Sequence, residues 1–336
     1  MLVRQRARRR AITALVLGLA AVVAAGCGGD DDGSAATTTT TAGTGETDDG
    51  GELVALSYNV AGLPDVLSDS NPEANTRQIG PLLDDYDLVL LQESWKTPDP
   101  NPLEPTRVYH EILEETASHE HMAEMATQPL GSDPSRPEAL LADGLGFFSR
   151  YPMTDVVREA WEGCFGGADT SDGGAGDCLA FKGMAMVTVT LPDGTEVDVY
   201  NLHAEAGSTE EDQRLQREDF DQLAAFVAEH SDGRPVILGG DTNLHTEDDP
   251  ENPQDVEDSE IWEEFLSTTG MTDVCDTLDC PEPGRIDKFA FRSDDDVELE
   301  PTSWNFETEV FQDDAGEPLS DHDALAVRFT WSTASG

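Results

Sequence analysis

Short apolar runs that end in polar clusters recur along the chain and predict a strand-rich fold. Each run is bounded by Gly, Pro, Asn or Asp, as is typical of buried strands. Strands are predicted over residues 53–60, 87–91, 144–149, 183–191, 197–202, 235–239, 286–291, 297–299 and 324–331. Helical spacing of apolar residues predicts a long amphipathic helix over 209–230, with shorter helices over 75–83 and 261–269. This pattern favours two sheets packed face to face with helices outside.

The first 26 residues have the pattern of an export signal. Arginines precede an apolar run, 11–25, that is too short and too rich in small residues to span a membrane. Small residues before Cys27 resemble a bacterial lipoprotein signal, in which this cysteine carries lipid; an ordinary secretory signal with a chance cysteine is the alternative. Residues 27–52 predict a flexible tether, 53–331 one domain and 332–336 a tail. We expect an exported monomer, either a lipoprotein anchored to the cell membrane or a secreted protein.

Charge narrows the possible functions more than apolar content does. At 38% hydrophobic residues the chain can bury a core, which excludes disorder throughout. Acidic residues number 70 against 19 basic ones, for a formal net charge of -51. This balance argues against a wide basic surface that binds nucleic acid or anionic lipid. It leaves room for a small site in which a cation reverses the local sign.

The cysteines agree with export. Four of them remain beyond Cys27, and an even number outside the cytosol favours disulfides. Proximity in sequence predicts the pairs Cys164–Cys178 and Cys275–Cys280. Zinc ligation is the alternative, but neither a Cys-x-x-Cys motif nor a His pair accompanies these residues.

Polar side chains suited to binding metal or phosphate follow several of the predicted strands. Each alone has an ordinary explanation, because Asn often forms turns and a single His often has a structural partner. As a set they indicate a site, since α/β folds gather functional residues at strand ends. The residues are Asn59, Glu93, His203, Asp241 with Asn243, and Asp321 with His322.

The order of these motifs along the chain and their residues resemble those of the endonuclease/exonuclease/phosphatase superfamily, which has the DNase I-like fold. The resemblance covers about residues 53–329. It implies an α/β fold, a four-layered α/β sandwich in which two packed mixed β-sheets are flanked by helices. The motifs are Tyr58-Asn59, Leu91-Gln92-Glu93, Ser149-Arg150-Tyr151-Pro152, Asn201-Leu202-His203, Gly240-Asp241-Thr242-Asn243, Arg285-Ile286-Asp287 and Ser320-Asp321-His322.

The resemblance further implies a phosphodiester hydrolase that depends on a divalent metal ion. Glu93 would be the main metal ligand, supported by Asn59 and Asp321. A small set of oxygen ligands suits Mg²⁺, which keeps waters and can take a phosphate oxygen; Mn²⁺ and Ca²⁺ are alternatives.

Catalytic roles follow from the same resemblance. His322 would be the general base or a cationic clamp on the phosphate, oriented by Asp287. Asp241 would position or deprotonate the attacking water, and Asn243 would donate a hydrogen bond to the phosphoryl oxygen.

A second histidine completes the predicted catalytic set. His203 would bind the phosphate or protonate the leaving group, with Asp143 as its carboxylate partner. Only the spacing of Asp143 from the Ser149-Arg150 motif supports that pairing.

Two other clusters favour ordinary surface roles. His110, His119 and His121 are expected to be exposed histidines rather than a second metal site. The acidic run over 248–258 is expected to be a solvated surface, because it lacks the periodicity of a Ca²⁺ loop.

Shorter matches resemble secreted neutral sphingomyelinases, notably residues 59–64 and the dipeptides Asp143-Gly144 and Lys182-Gly183. We therefore favour a phospholipid head group over DNA as substrate, because few basic residues stand near the motifs. An extracellular DNase I-like endonuclease is the alternative, and a non-catalytic surface binding module a remote one. Aromatic residues 304, 306 and 311 could form a membrane-contacting hairpin or part of the core.

Overall fold

The computed structural model describes residues 50–63, 71–95, 108–127, 134, 136–169, 171, 173–246 and 252–333. Twelve strands are present in this part of the chain: β1 Gly50–Asn59, β2 Leu88–Gln92, β3 His121–Met122, β4 Gly146–Ser149, β5 Val157–Ala160, β6 Gly183–Thr190, β7 Glu196–His203, β8 Val236–Asp241, β9 Thr272–Asp273, β10 Asp287–Arg292, β11 Val297–Phe306 and β12 Leu325–Thr333. The α-helices are α1 Pro72–Leu82, α2 Tyr109–Thr116, α3 Glu210–His230, α4 Pro253–Thr269 and α5 Val274–Leu278.

The strands form two mixed sheets of six strands each. The first sheet has the order β11-β12-β1-β2-β4-β3, and the second has the order β5-β6-β7-β8-β10-β9. Each sheet contains one parallel pair, β1 with β2 and β7 with β8, among antiparallel neighbours. This arrangement confirms the predicted pair of mixed sheets.

Alternating side chains on the strands explain why the sheets stack between helices. On β1, Leu53 and Ala55 enter the core between the two sheets, while Leu56 and Tyr58 face the opposite side. That opposite side packs against α1 and α2, and a matching cluster packs α3 and α4 on the outer face of the second sheet. Helix, sheet, sheet and helix therefore form the four predicted layers.

Side chains cap the backbone N–H groups at the start of α3 and α4. Thr209 and Asp212 form a reciprocal capping box at the start of α3, as expected from the predicted long helix. Asn252 accepts a hydrogen bond from the Gln254 backbone and precedes Pro253, so α4 begins before the predicted residue 261.

The predicted disulfides are confirmed. Cys164 pairs with Cys178 and Cys275 with Cys280, with Cα atoms 5.2 and 4.9 Å apart. The signal segment, Cys27 and most of the tether lie outside the described residues and stay predictions. Strand β1 includes residues 50–52, which the sequence analysis assigned to the tether, because they pair with residues 330–332 of β12. Within the described part, no helix has both the length and the apolar character that a membrane span requires.

Several surface expectations were wrong. His110 and His119 are buried, and each packs against the ring of Phe148. In the acidic run, Asp255 and Asp258 are buried on α4; Asp258 accepts hydrogen bonds from Gln213 and from the backbone of residue 245.

The aromatic residues considered for membrane contact pack against the protein interior. Trp304 and Phe306 lie half-buried on β11 against the core between the sheets, with ring centroids 4.9 Å apart. Phe311 is buried beside Tyr58, with ring centroids 4.7 Å apart. The structure therefore supports the core alternative for all three residues.

Candidate active site

Strand register brings the sequence-predicted residues to one edge of the two sheets. In the first sheet Asn59 pairs with Gln92, which places Glu93 directly after the neighbouring strand. In the second sheet His203 pairs with Asp241 on the parallel strand, and Asp241 pairs with Asp287 on the antiparallel one. Because the sheets pack face to face, these ends meet across the sandwich.

The Asn59 side chain joins the two sheets. Its Nδ2 atom donates to Glu93 Oε1 at 3.2 Å and to Asp241 Oδ2 at 3.0 Å, and it lies 3.5 Å from His322 Nε2. Its Oδ1 atom accepts from the backbone N–H of Ala61. The buried amide therefore gathers two predicted metal or catalytic carboxylates and a predicted catalytic histidine around one atom.

His322 is held by Asp287. The distance from His322 Nδ1 to Asp287 Oδ2 is 2.8 Å, and His322 Nε2 lies 3.7 Å from Asp241 Oδ2. Burial disfavours the charged imidazole, but the hydrogen bond and charge of Asp287, with the charges of Asp241 and Asp321, outweigh it and raise the pKa of His322 to about 10. In this environment His322 is an imidazolium at neutral pH.

The pKa of His203 is shifted in the opposite direction from that of His322. It is buried, and its Nε2 atom lies 3.4 Å from Asp241 Oδ2. Burial, with the charges of Lys182 and His322, lowers the pKa of His203 well below its ordinary value. Its Nδ1 atom has no hydrogen-bond partner among the described residues. The site thus contains one charged and one neutral histidine on either side of Asp241.

The predicted contact between Asp143 and His203 is wrong. Asp143 forms an ion pair with Arg158 at 2.8 Å and accepts a hydrogen bond from the backbone of Leu145. The carboxylate beside His203 is instead Asp241. Spacing along the chain could not reveal this, because the register of β7 with β8 decides which carboxylate the histidine meets.

Two further predicted residues lie at the rim of the site. Asn243 has a left-handed backbone, with φ of 51°, and its Nδ2 atom donates to the carbonyl of Ala204 at 3.0 Å. Asp321 is exposed next to His322, and its carboxylate lies 3.4 Å from the hydroxyl of Ser320. Ser320 also donates to the carbonyl of Asn59 at 2.7 Å, which ties this loop to β1.

Two residues that hold the sheets together beneath the site, Gln92 and Asn201, were not predicted as site residues. Gln92 Nε2 donates to Asn201 Oδ1 at 2.7 Å, and Asn201 Nδ2 donates to backbone carbonyls of the opposite sheet. The two sheets are therefore joined directly beneath Glu93 and His203. Gln92 and Asn201 stand in the same motifs as Glu93 and His203, and this position in the sequence could have pointed to them.

Lys182 is a buried lysine next to the site, and its ammonium is paired with Asp177. Its buried ammonium lies 2.5 Å from Asp177 and donates to the carbonyl of Ala204. Burial opposes its charge, but Asp177, Asp241 and Glu93 stabilise it and raise the pKa of Lys182.

The donor set fits a hard divalent cation. Burial raises the pKa of Glu93; Lys182 and Asn59 oppose this, and the charges of Asp241 and Asp321 add to it. The carboxylates of Glu93 and Asp241 share the Nδ2 atom of Asn59, and a carboxylate oxygen of Asp287 lies within 4.8 Å of one of Asp241. The Oδ1 atom of Asp287 is buried without a hydrogen-bond partner among the described residues. Crowded carboxylate oxygens of this kind suit Mg²⁺, Mn²⁺ or Ca²⁺.

A four-layered α/β sandwich with Asn, Glu, Asp and His gathered at the strand ends is the arrangement of a phosphoesterase site. The model of the Endonuclease/Exonuclease/phosphatase family matches residues 56–322. The chain belongs to this family.

Individual curated proteins are also similar in sequence to this chain. The sphingomyelinase of Mycobacterium tuberculosis (strain ATCC 25618 / H37Rv) is 29% identical over 301 residues, which cover 83% of this chain and 53% of that protein. The chain spans about half the length of the curated relatives it matches.

Solved structures resemble the chain in fold. A Staphylococcus aureus beta toxin mutant with bound magnesium ions has a TM-score of 0.56 at 13% identity, covering 82% of this chain and 99% of the toxin. TDP2 of D. rerio, complexed with a single-strand DNA product, has a TM-score of 0.56 at 17% identity, covering 83% and 98%. At these identities the likeness concerns the fold alone.

Proposed function

We propose that this protein is a phosphodiesterase dependent on a divalent cation, which cleaves a sphingomyelin-like phospholipid in the manner of a phospholipase C. The observation that carries the proposal is the convergence of Glu93, Asp241 and His322 on the amide of Asn59, in a chain of the phosphoesterase family. The similarity to a mycobacterial sphingomyelinase supports the choice of substrate.

Glu93, Asn59 and Asp321 would hold the cation. Bound Mg²⁺ would neutralise charge on the phosphate and polarise its oxygens, and Mn²⁺ or Ca²⁺ could replace it. The magnesium in the beta toxin structure supports this choice. In the present orientation Asn59 Oδ1 accepts from Ala61, so Glu93 is the stronger candidate ligand.

The protein's own residues would handle orientation and protons. Asp287 keeps a proton on Nδ1 of His322 and leaves Nε2 directed toward Asp241. As an imidazolium His322 would clamp the phosphate, and as a neutral imidazole it would act as the general base toward the attacking water. Asp241 would position the attacking water, and Asn243 would contact the phosphoryl oxygen.

His203 would bind the phosphate or assist the leaving oxygen. Its buried neutral ring lies against Asp241, on the same carboxylate that faces His322. A catalytic role for Asp143 remains a prediction, now as the partner of Arg158 rather than of His203.

Charge favours a phospholipid head group over DNA. Of the basic residues near the motifs, Arg150 pairs with Asp87, Lys182 with Asp177 and Arg285 with Asp323. These cations are already neutralised, whereas a nuclease needs Lys and Arg along the phosphate backbone. A zwitterionic head group adds little net charge to a surface this acidic.

The proposed location is the outer surface of the cell membrane. The pattern before Cys27 supports a lipid anchor, and secretion without lipid is the alternative. Mass spectrometry of the N-terminal peptide from expressed protein tests this point. A diacylglyceryl cysteine at position 27 would support the anchor, and an unmodified peptide that begins elsewhere would contradict it.

A substrate panel tests the activity. Purified protein is assayed with sphingomyelin, phosphatidylcholine, plasmid DNA and a chromogenic diester, at low and high salt, with EDTA and with Mg²⁺ restored. We expect release of phosphocholine from sphingomyelin, loss of activity in EDTA and recovery with Mg²⁺.

Variants and salt distinguish the alternatives. His322→Ala should lower lipid cleavage by about 10²–10⁴. Rapid plasmid nicking without lipid cleavage would replace the lipid proposal with the endonuclease, including at high salt, where repulsion between exposed charges is screened. Activity that survives both EDTA and H322A would contradict the proposed site.

A further inference from the structure

We propose that the buried pair Ser94–His110 positions Glu93 for metal binding. Ser94 directly follows Glu93, and its hydroxyl oxygen lies 2.7 Å from Nδ1 of His110, which is contributed by α2. Both side chains are buried, with 1% and 0% of their surface exposed. The inference rests on the proposed function, in which Glu93 is the main ligand.

The backbone at Glu93 needs such support. Its φ is 53°, a left-handed conformation that residues with a Cβ seldom adopt. This conformation turns the chain out of β2 and directs the carboxylate toward Asn59, at 3.2 Å. Strain of this kind persists only where surrounding contacts determine it, and it is concentrated at functional sites.

Contacts on three sides hold the residues around Glu93. The backbone N–H of Val60 donates to the carbonyl of Gln92 at 3.0 Å, and the N–H of Ser94 donates to the carbonyl of Gly144 at 2.9 Å. A Cβ at Gly144 would lie 2.6 Å from the Trp95 ring, so that ring packs directly on the backbone there. On the C-terminal side of Glu93, the next polar side chain is the hydroxyl of Ser94, and it meets His110.

Glu114 lies beside the second ring nitrogen of His110. Its Oε1 atom, one helical turn after His110, lies 3.5 Å from His110 Nε2. With the proton on Nε2, Nδ1 would accept a hydrogen bond from the hydroxyl of Ser94; with the proton on Nδ1, the ring would donate to that hydroxyl, so either tautomer links Ser94 to α2. The ring also packs edge-on against Phe148, at 5.7 Å between centroids. Helix α2 thus fixes the rotamer of a side chain adjacent to the proposed ligand.

Ser94, His110 and Glu114 resemble the order of a nucleophilic triad, but their burial argues against that role. A nucleophilic hydroxyl must reach substrate, whereas the Ser94 side chain is enclosed beneath β2 and α2. The hydrogen bond instead restrains the backbone of Glu93. Ser94 and His110 are therefore positioning residues.

Magnesium binding tests the inference independently of hydrolysis. The purified, metal-free protein is titrated with Mg²⁺ by calorimetry, as wild type, Ser94→Ala and His110→Gln. Loss of groups that orient a metal ligand weakens affinity by about 10–100-fold, and we expect a loss in this range for both variants. In the activity assay, half-saturating Mg²⁺ should rise similarly, while kcat at saturating Mg²⁺ should change much less.

Matched controls separate positioning from folding. Tyr200→Phe removes one buried hydroxyl, which is bonded to Ser231 at 2.6 Å, and His119→Gln removes a histidine that packs on the same Phe148 ring. Both controls should keep wild-type Mg²⁺ affinity even if they melt earlier.

Each outcome has one meaning. Wild-type affinity in folded S94A and H110Q would overturn the inference and leave the proposed function standing. Weaker binding in these variants, in a protein that cleaves no phosphodiester, would support the inference and overturn the proposed function. A wild-type protein that binds none of Mg²⁺, Mn²⁺ and Ca²⁺ in the same titration would overturn both.

Discussion

His322 lies between two carboxylates that face each other across neighbouring strands. Its Nδ1 atom is 2.8 Å from Oδ2 of Asp287, and its Nε2 atom is 3.7 Å from Oδ2 of Asp241. Asp241 and Asp287 are direct partners in the antiparallel register of β8 and β10. Asp287 therefore orients the imidazole ring through Nδ1. Asp241 lies on the side of Nε2, the nitrogen that is left to act on substrate.

Asp287→Asn tests the orienting role. The amide keeps the shape of the side chain but removes the charge that stabilises a proton on Nδ1 of His322. We expect kcat/KM for the phosphodiester to fall by about 10²–10⁴ with little loss of folding. Asp198→Asn is the control, because Asp198 is also a buried aspartate but pairs with Arg234 outside the site. Activity of D287N close to wild type would contradict the role.

Lys182→Met tests the buried ion pair with Asp177. Removing the ammonium leaves the Asp177 carboxylate buried without its partner, which costs about 3–5 kcal/mol of unfolding free energy. The double variant D177N/K182M should lose less, because no uncompensated charge remains. Urea unfolding of the single and double variants measures the difference; equal losses in K182M and the double variant would argue against the pairing.

Glu205→Gln tests the pH dependence of stability. Burial and the charges of Asp177 and Asp219 raise the pKa of Glu205 to about 9. Between about pH 4.5 and pH 9 the folded protein holds this proton and the unfolded chain does not, so stability falls as pH rises through that window. E205Q should fall less steeply than wild type in urea unfolding across this range.

Other groups titrate in both proteins, so only the difference between them reports on Glu205. Burial lowers the pKa of Lys288 to about 8, which acts in the opposite direction at higher pH. Parallel curves for E205Q and wild type would show that the Glu205 proton is not retained.

Removing the Cys164–Cys178 disulfide tests its contribution to stability. The bond closes a loop with a sequence separation of 14, for which the loss of unfolded-chain entropy corresponds to about 3 kcal/mol. The loop contains Phe165 and Asp177, which contact Glu205 and Lys182, so the C164A/C178A variant should also lose activity. The control C275A/C280A opens a loop with a separation of 5 and should lose about 2 kcal/mol with activity retained.

Local pattern was enough to predict most strands, the long helix and the chemistry at the strand ends. Apolar runs and turn residues act over short distances, and both predicted disulfides join cysteines close in sequence. The motif order indicated the family and the two mixed sheets. The charge argued against a wide basic surface, and in the structure Arg150, Lys182 and Arg285 beside the motifs are each paired with an aspartate.

Only the tertiary structure decided which residues meet. Asn59 contacts Asp241 and His322, which are 182 and 263 positions away in the sequence. The register of β7 with β8 places His203 beside Asp241, whereas spacing along the chain had suggested Asp143. Burial of His110 beside Ser94 likewise depends on α2 packing over the first sheet. The physical reason is that strand pairing and the stacking of two sheets bring together residues that are far apart in the chain. The local sequence around one such residue does not indicate which distant residue it will contact.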